Sequence, residues 1–278
     1  MSEVPSPSGA ILSTRKLLPF GAAFTSRVAE ACRPDSVDID LTWTLPGAVR
    51  SVFRLDSSDG PSAVLWIPAR TDPARTMTAD SPVVARWLPT CPVLVIDLPP
   101  HPSEQMAGIA AAYRIAEKTA NQSSCCQVAI GLRASHLLGG RRHLVNLTLL
   151  RRRTEEWGIA IALDLTGAFD PLWEAEAAVL RLGGRLALVR INSRANLPSA
   201  VDRDRVARRA VRAAIEQCRD LRVSIEPDVA WWQRRNVGAV ADAWTLSARR
   251  INPWGGSPSQ GVPPIHEERR RYRSLPPR

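Results

Sequence analysis

Lysine is almost missing from this chain. Of 37 basic residues only Lys16 and Lys118 are lysine, and the other 35 are arginine. No apolar run reaches the roughly 18 residues that a membrane-spanning helix needs, so no membrane partner is expected. The opening "MSEVPSPSGA" has no basic-then-apolar stretch, which argues against a secretory signal. Neither GxGxxG nor GxxxxGK[ST] follows any apolar segment, which removes the usual dinucleotide and nucleotide phosphate loops. The five cysteines (Cys32, Cys91, Cys125, Cys126, Cys218) contain no CxxC pair and no Cys/His cluster with zinc spacing. The adjacent Cys125 and Cys126 read either as a strained vicinal disulfide or as reduced thiols at a strand entrance. The reading is a soluble, cytoplasmic protein in a reducing compartment.

What is present is a basic, core-forming chain. Net charge is +10 and hydrophobic content 45% over 278 residues. Such a balance can signal an acidic partner. Here the arginines do not line up in one stripe, so nucleic acid is not expected. The stretch "LLRRRTEEW" (149–157) looks like a basic patch, but its Arg and Glu fall at helical spacing and suit a solvated helix. Residues 1–10 are a Pro/Ser tail. Residues 252–278 form a Pro-rich tail with five Arg against two Glu, too poor in apolar residues to order itself.

Between the tails the pattern alternates. Short runs rich in Val, Ile and Leu occur at 11–14, 37–41, 63–67, 93–98, 128–132, 159–163, 186–191 and 221–225, each suited to a strand buried on both faces. A helical pattern follows each, such as "SEQMAGIAAAYRIAEKTA" after the fourth and "VGAVADAWTLSARRI" after the eighth. Asp170–Pro171 is a helix start, and Gly183–Gly184 a helix stop. Eight strand-then-helix units in one α/β domain over 11–251 predict a single (β/α)8 TIM barrel. A doubly wound open sheet is the alternative.

A barrel places its active site at the C-terminal ends of the strands. Those ends carry Arg15, Asp40, Pro68 to Arg70, Asp97 with His101 behind it, Arg133 with His136, Asp164, then Arg190 with Asn192 and Arg194, and lastly Glu226. Acids and arginines are in rough balance there, which is costly unless they pair or hold a ligand. Trp231–Trp232, just past the last strand, either stack on a sugar face or a base or close the barrel top.

The phrase "IALDLTGAFDPLWEAEAAVLRLGGRLALVRINSR" resembles the sixth strand, helix and seventh strand of the xylose isomerase-like barrels, in particular the sugar phosphate isomerase/epimerase family. "LRVSIEP" resembles that family's last strand, and "PFGAAFTSRVAEACRPDSVDIDL" its first helix and second strand. The resemblance implies an isomerase or epimerase of a small sugar or sugar-acid, with or without phosphate, and one divalent metal (Mn, Mg, Co or Zn) held by Glu, Asp, His and Glu of strands 5 to 8. It also leaves a homo-oligomer open. Position by position, the strand-6 aspartate falls on Asp164 and the strand-8 glutamate on Glu226. These two are the candidate catalytic residues, and the metal ligands if a metal is retained. The strand-5 glutamate falls on Arg133, and the strand-7 histidines on Leu188 and Arg190. Arginine does not ligate metals and repels them. The second implication is therefore a catalytically inactive barrel with no cofactor, acting in binding or structure, with Asp164 and Glu226 salt-bridged to Arg133 and Arg190. Arg133, Arg190 and Arg194 could instead grip a phosphate or carboxylate, with His101 and Trp231 beside them as substrate-binding residues. Four histidines are too few for the histidine-rich metal cluster of the DNA-repair endonucleases in the wider superfamily.

Overall fold

In this computed structural model, residues 10–34, 36–41, 62–68, 88, 91–99, 102–122, 126–133, 147–166, 173–193, 200–218 and 221–251 are described. Eight parallel strands close into a barrel in sequence order: β1 (Ala10–Ser13), β2 (Ser36–Asp40), β3 (Ser62–Pro68), β4 (Val93–Asp97), β5 (Gln127–Arg133), β6 (Ala160–Asp164), β7 (Leu186–Ser193) and β8 (Arg222–Pro227). Closure comes from β1 pairing with β8 through Ala10–Val223, Ile11–Ser224 and Leu12–Ile225. An open sheet is thereby excluded, and each strand lies within two residues of its sequence-based position. Among the described residues the helices are α1 (Ala22–Cys32), α2 (Pro102–Gln122), α3 (Leu147–Glu156), α4 (Trp173–Leu182), α5 (Ala200–Gln217) and α6 (Val237–Ile251). The helices expected at 47–55 and 81–88, the Asp170–Pro171 cap and the tail at 252–278 lie outside the described residues, Leu88 excepted. Ala10, expected in the N-terminal tail, is instead the first residue of β1.

Successive strand residues face opposite sides, and this divides the core in two. One set, including Leu12, Ile39, Leu65, Leu94, Ile96, Ile130, Leu163 and Val189, packs outward against helix residues such as Val28, Ile115, Val179, Val211 and Trp244. The other, with Ile11, Val64, Trp66, Val93, Val95, Ala129, Ala160, Ala162, Ala187 and Leu188, fills the barrel interior. The interior set is mostly alanine on β5 to β7, Leu188 excepted, and large at Trp66. A Cβ on Gly131 would stand 2.8 Å from Trp66 Cζ3 and 2.9 Å from Val95 Cγ1, so the indole occupies the space this glycine leaves. Continuing each interior row toward the C-terminal strand ends changes its chemistry. Val95 leads to Asp97, Gly131 to Arg133, Ala162 to Asp164 and Leu188 to Arg190. The apolar layers therefore end in a charged one. On the outside, α3 confirms the solvated-helix reading of 149–157: Arg151–Glu155, Arg152–Glu156 and Arg153–Glu156 pair at 2.9, 3.1 and 2.9 Å on an exposed face.

Candidate functional site: an arginine–carboxylate mouth

Arg190 is the centre of the charged layer. It is long enough to cross the barrel from β7, and its side chain has no exposed surface. Its Nε and Nη2 donate to the two oxygens of Asp38 at 2.8 and 2.6 Å, a bidentate fork. Its Nη1 donates to Asp40 Oδ2 at 2.8 Å and reaches Asp164 Oδ2 at 3.4 Å. The guanidinium lies 3.9 Å over the Trp66 ring, a cation–π contact strengthened by the exclusion of water. Ser224 Oγ donates to Asp38 as well. The side chain is thus satisfied on its edges and on one face.

Arg133 forms a second fork. Its Nε and Nη2 donate to Asp97 Oδ2 at 2.8 and 2.6 Å. It also stands 3.8 Å from Asp40 Oδ2 and 3.7 Å from Asp164 Oδ2. Arg15, from the loop after β1, adds a third guanidinium 3.3 Å from Asp164 Oδ2 and 3.9 Å from Asp40 Oδ2. The other oxygen of Asp164 accepts from the Thr166 amide and hydroxyl at 2.9 and 2.6 Å. Both oxygens of Asp164 are therefore occupied by donors, and the expected pairing of Asp164 with Arg133 and Arg190 is present.

Glu226 corrects the second half of that expectation. It pairs with neither arginine. Its Oε1 accepts from Lys16 Nζ at 2.9 Å, and Lys16 also reaches Asp228 Oδ1 at 3.4 Å. The reason is positional. On the adjoining β7, Arg190 stands opposite Ser224, two residues deeper than Glu226, and its donors go to Asp38 and Asp40, whereas the loop carrying Lys16 follows β1, the other neighbour of β8. Its Oε2 is buried with no hydrogen-bond partner among the described residues, and so is Oδ1 of Asn192, the residue opposite Glu226 in the β7–β8 register. Beside Lys16 lies a pocket of about 360 Å³, lined by Arg15, Leu17, Phe20, Asp228, Val229 and Arg234 among others.

The acids feel the burial. Asp97 is pushed up to about 6 by burial, against the pull of Arg133, with Asp40 and Asp164 adding to the rise. Asp38 is raised by burial despite the Arg190 fork. Glu226 is raised by burial, opposed by Lys16. Four carboxylates (Asp38, Asp40, Asp97, Asp164) here share three guanidiniums, which crowds like charges.

A divalent metal does not fit this donor set. Guanidiniums stand at the strand-5 and strand-7 positions where the resembling family would place ligands, and three of them lie within 3.7 Å of the one Asp164 oxygen not held by Thr166. Among the described residues no group of three or more His, Cys, Asp and Glu could hold a metal ion. Of the other sequence candidates, Arg194, His101 and His136 lie outside the described residues. Trp231 sits in a short turn (Trp231–Gln233) after β8. Sequence reasoning missed Asp38 and Lys16. Asp38 sits two residues before Asp40 on the same strand face, so the period-2 rule applied one step further back would have found it. Lys16 left a compositional trace as one of only two lysines.

No protein-family profile matches the chain, and no curated protein matches it either. Solved structures do. A xylose isomerase domain containing protein from Salmonella typhimurium aligns with TM-score 0.56 at 12% identity, over 90% of this chain and 99% of that one. An L-ribulose 3-epimerase aligns with TM-score 0.54 at 13% identity, over 91% and 99%. An archaeal fructose-1,6-bisphosphate aldolase aligns with TM-score 0.50 at 14% identity, over 89% and 94%. These structures share the closed (β/α)8 barrel, and at these identities the likeness is one of fold. Among the described residues no helix is long and apolar enough to cross a membrane.

Proposed function

We propose that this barrel binds a small hydroxylated ligand, a sugar or sugar-acid with or without phosphate, without a divalent metal. The observation that carries this reading is the pair of buried acceptors, Glu226 Oε2 and Asn192 Oδ1, side by side at neighbouring strand ends with no donor among the described residues. A buried acceptor left unmet costs on the order of 1–3 kcal/mol. Hydroxyl groups of a ligand would supply both donors. Lys16 and the neighbouring pocket, with its apolar walls and Arg234, would hold the rest. The epimerase and the xylose isomerase domain protein that share the fold support the choice of sugars. Arg190 supports the exclusion of the metal, since moving it would strand Asp38 and Asp40.

A second reading is a metal-independent isomerase or epimerase in which Glu226 moves the proton. It is favoured by the burial that raises the Glu226 carboxyl from its ordinary value, the direction that suits a general base or acid. Calorimetric titration with a panel of ketoses, aldonic acids and their phosphates tests the binding reading. Binding is expected to be unchanged by EDTA and lost in Glu226→Gln and Asn192→Ala. A thermal shift of the wild type with Mn, Mg, Co or Zn, abolished in Asp164→Asn, would overturn the metal-free reading. Solvent deuterium appearing on a bound ketose carbon in wild type but not in Glu226→Gln would establish the second.

A further inference from the structure

The opposite end of the barrel holds a thiol pair. Cys91 lies two residues before β4 and Cys126 immediately before β5. The strands are joined there by the Gln127 amide, which donates to Pro92 O at 3.0 Å, and by the Val93–Gln127 pairing. This pairing brings the two thiols to the same rim of adjoining strands, where Cys91 Sγ also donates to Val93 O at 3.1 Å. Cys91 is fully buried, whereas Cys126 is only partly covered. The environments of the described thiols differ sharply. Cys32 is pushed up to about 12 by burial and then by Asp242, and Cys218 is raised by burial. Cys126 moves the other way, because the Cys91 thiol, and then the Leu94 backbone, hydrogen-bond to it against the cost of its burial. A partly exposed sulfur with stabilised thiolate character, next to a second thiol that is sealed from solvent, is the arrangement of a peroxide-sensitive cysteine and its resolving partner.

We propose that Cys126 and Cys91 form a hydroperoxide-responsive pair that closes to a Cys91–Cys126 disulfide, joining β4 to β5 across the bottom of the barrel. In the first step the Cys126 thiolate attacks the distal peroxide oxygen. The O–O bond breaks, Cys126 becomes a sulfenic acid and hydroxide or alcohol leaves with the electron pair. In the second step the Cys91 sulfur attacks the Cys126 sulfur. The S–OH bond breaks, the Cys91 proton leaves with it as water, and both cysteines end at the disulfide level. A dithiol returns the pair to the starting state by exchange. This device lies at the far end of the strands from Glu226 and Arg190 and stands whether or not the mouth binds a sugar.

The full-length protein, fully reduced and freed of reductant, is alkylated with N-ethylmaleimide at neutral pH without denaturant. Cys126 is expected to react at least about 10-fold faster than Cys32 or Cys218, as thiolate fraction and access dictate. After a small excess of hydrogen peroxide, denaturation, alkylation and peptide mapping are expected to find a Cys91–Cys126 cross-linked peptide that dithiothreitol removes. In Cys91→Ser the sulfenic acid at Cys126 persists and is trapped by dimedone. In Cys126→Ser, Cys91 stays unoxidised. A Cys125–Cys126 disulfide in the wild type, or a Cys126 that alkylates no faster than the buried thiols, overturns the proposal. Both wild-type readouts decide the matter even if a serine variant fails to fold.

Discussion

Two acids stand at the same mouth on either side of β7, and their surroundings differ. Asp164 on β6 has donors on both oxygens: Thr166 on one side and the guanidiniums of Arg15, Arg190 and Arg133 on the other. Glu226 on β8 has one ammonium on one oxygen and nothing among the described residues on the other. The Asp164 side is a closed electrostatic unit in which three guanidiniums crowd one carboxylate oxygen. The Glu226 side keeps a buried acceptor without a donor among the described residues. Under the proposed ligand binding, recognition falls to the β7–β8–β1 arc rather than to the aspartate that the family resemblance points to first.

The largest blow to this contrast is Arg190→Met. It leaves Asp38, Asp40 and Asp164 buried without their shared cation, and breaking such a pair costs about 3–5 kcal/mol. Urea unfolding is expected to show a loss of that size, with Arg190→Lys recovering little because an ammonium cannot form the Asp38 fork. A loss below 1 kcal/mol would mean that the network is ornamental. Gly131→Ala acts on the same unit from beneath. The new methyl would crowd Trp66 and Val95 and push the indole against Arg190, and overpacking of this kind costs about 1–3 kcal/mol. The same change should leave ligand binding at Glu226 within about twofold, since it touches only the closed side.

The pH dependence follows from Asp97. Its folded value is about 6 against 3.8 for the free side chain, so the folded state holds a proton that the unfolded chain has released. This group's contribution to stability is full below about pH 4 and is lost as pH rises through 6. Asp38 and Glu226, raised by burial, act in the same direction. Melting temperature is therefore expected to fall between pH 4.5 and 6.5 by a few degrees, as a difference of about 1 kcal/mol would produce. Asp97→Asn, which keeps the protonated shape, should flatten that slope. An unchanged slope would place the titration elsewhere.

Much of this architecture was legible because its signals are local. Eight short Val/Ile/Leu runs, each followed by a helical pattern, suffice for a barrel, since parallel strands buried on both faces have few other ways to close. The strand-end residues were legible too: Asp40, Asp97, Arg133, Asp164, Arg190 and Glu226 can be read by walking to the end of each run. The partners were not. Arg190 meets Asp38 and Asp40 across 152 and 150 positions of sequence, and a pairing across the barrel depends on strand tilt and side-chain reach rather than on spacing. The assignment of Glu226 to the arginines went astray for the same reason. Charge complementarity names a class of partner, whereas Arg190, two residues deeper on the adjoining β7, is taken by Asp38 and Asp40, and Lys16 meets Glu226 instead. The thiol pair was hidden similarly, because Cys125 is adjacent to Cys126 in sequence while Cys91 is adjacent in space.

The smallest expected effect is the most discriminating. Lys16 is 37% exposed on its side chain, so its bond to Glu226 is screened by water and is worth about 0.5–1 kcal/mol. Lys16→Met should cost no more than that, several-fold less than Arg190→Met, although each removes one cation from a buried acid. The cost should also depend on pH. Lys16 stabilises the ionised carboxylate, so without it Glu226 rises further and stays protonated to higher pH. Wild type and variant should then be equally stable near pH 4, where the folded carboxyl is neutral in both, and diverge toward pH 8. A constant difference across that range would mean that Lys16 acts through packing of its methylene stem and not through Glu226. A loss as large as that of Arg190→Met would erase the distinction between the two sides of the mouth, because it would make Glu226 as tightly held as Asp164.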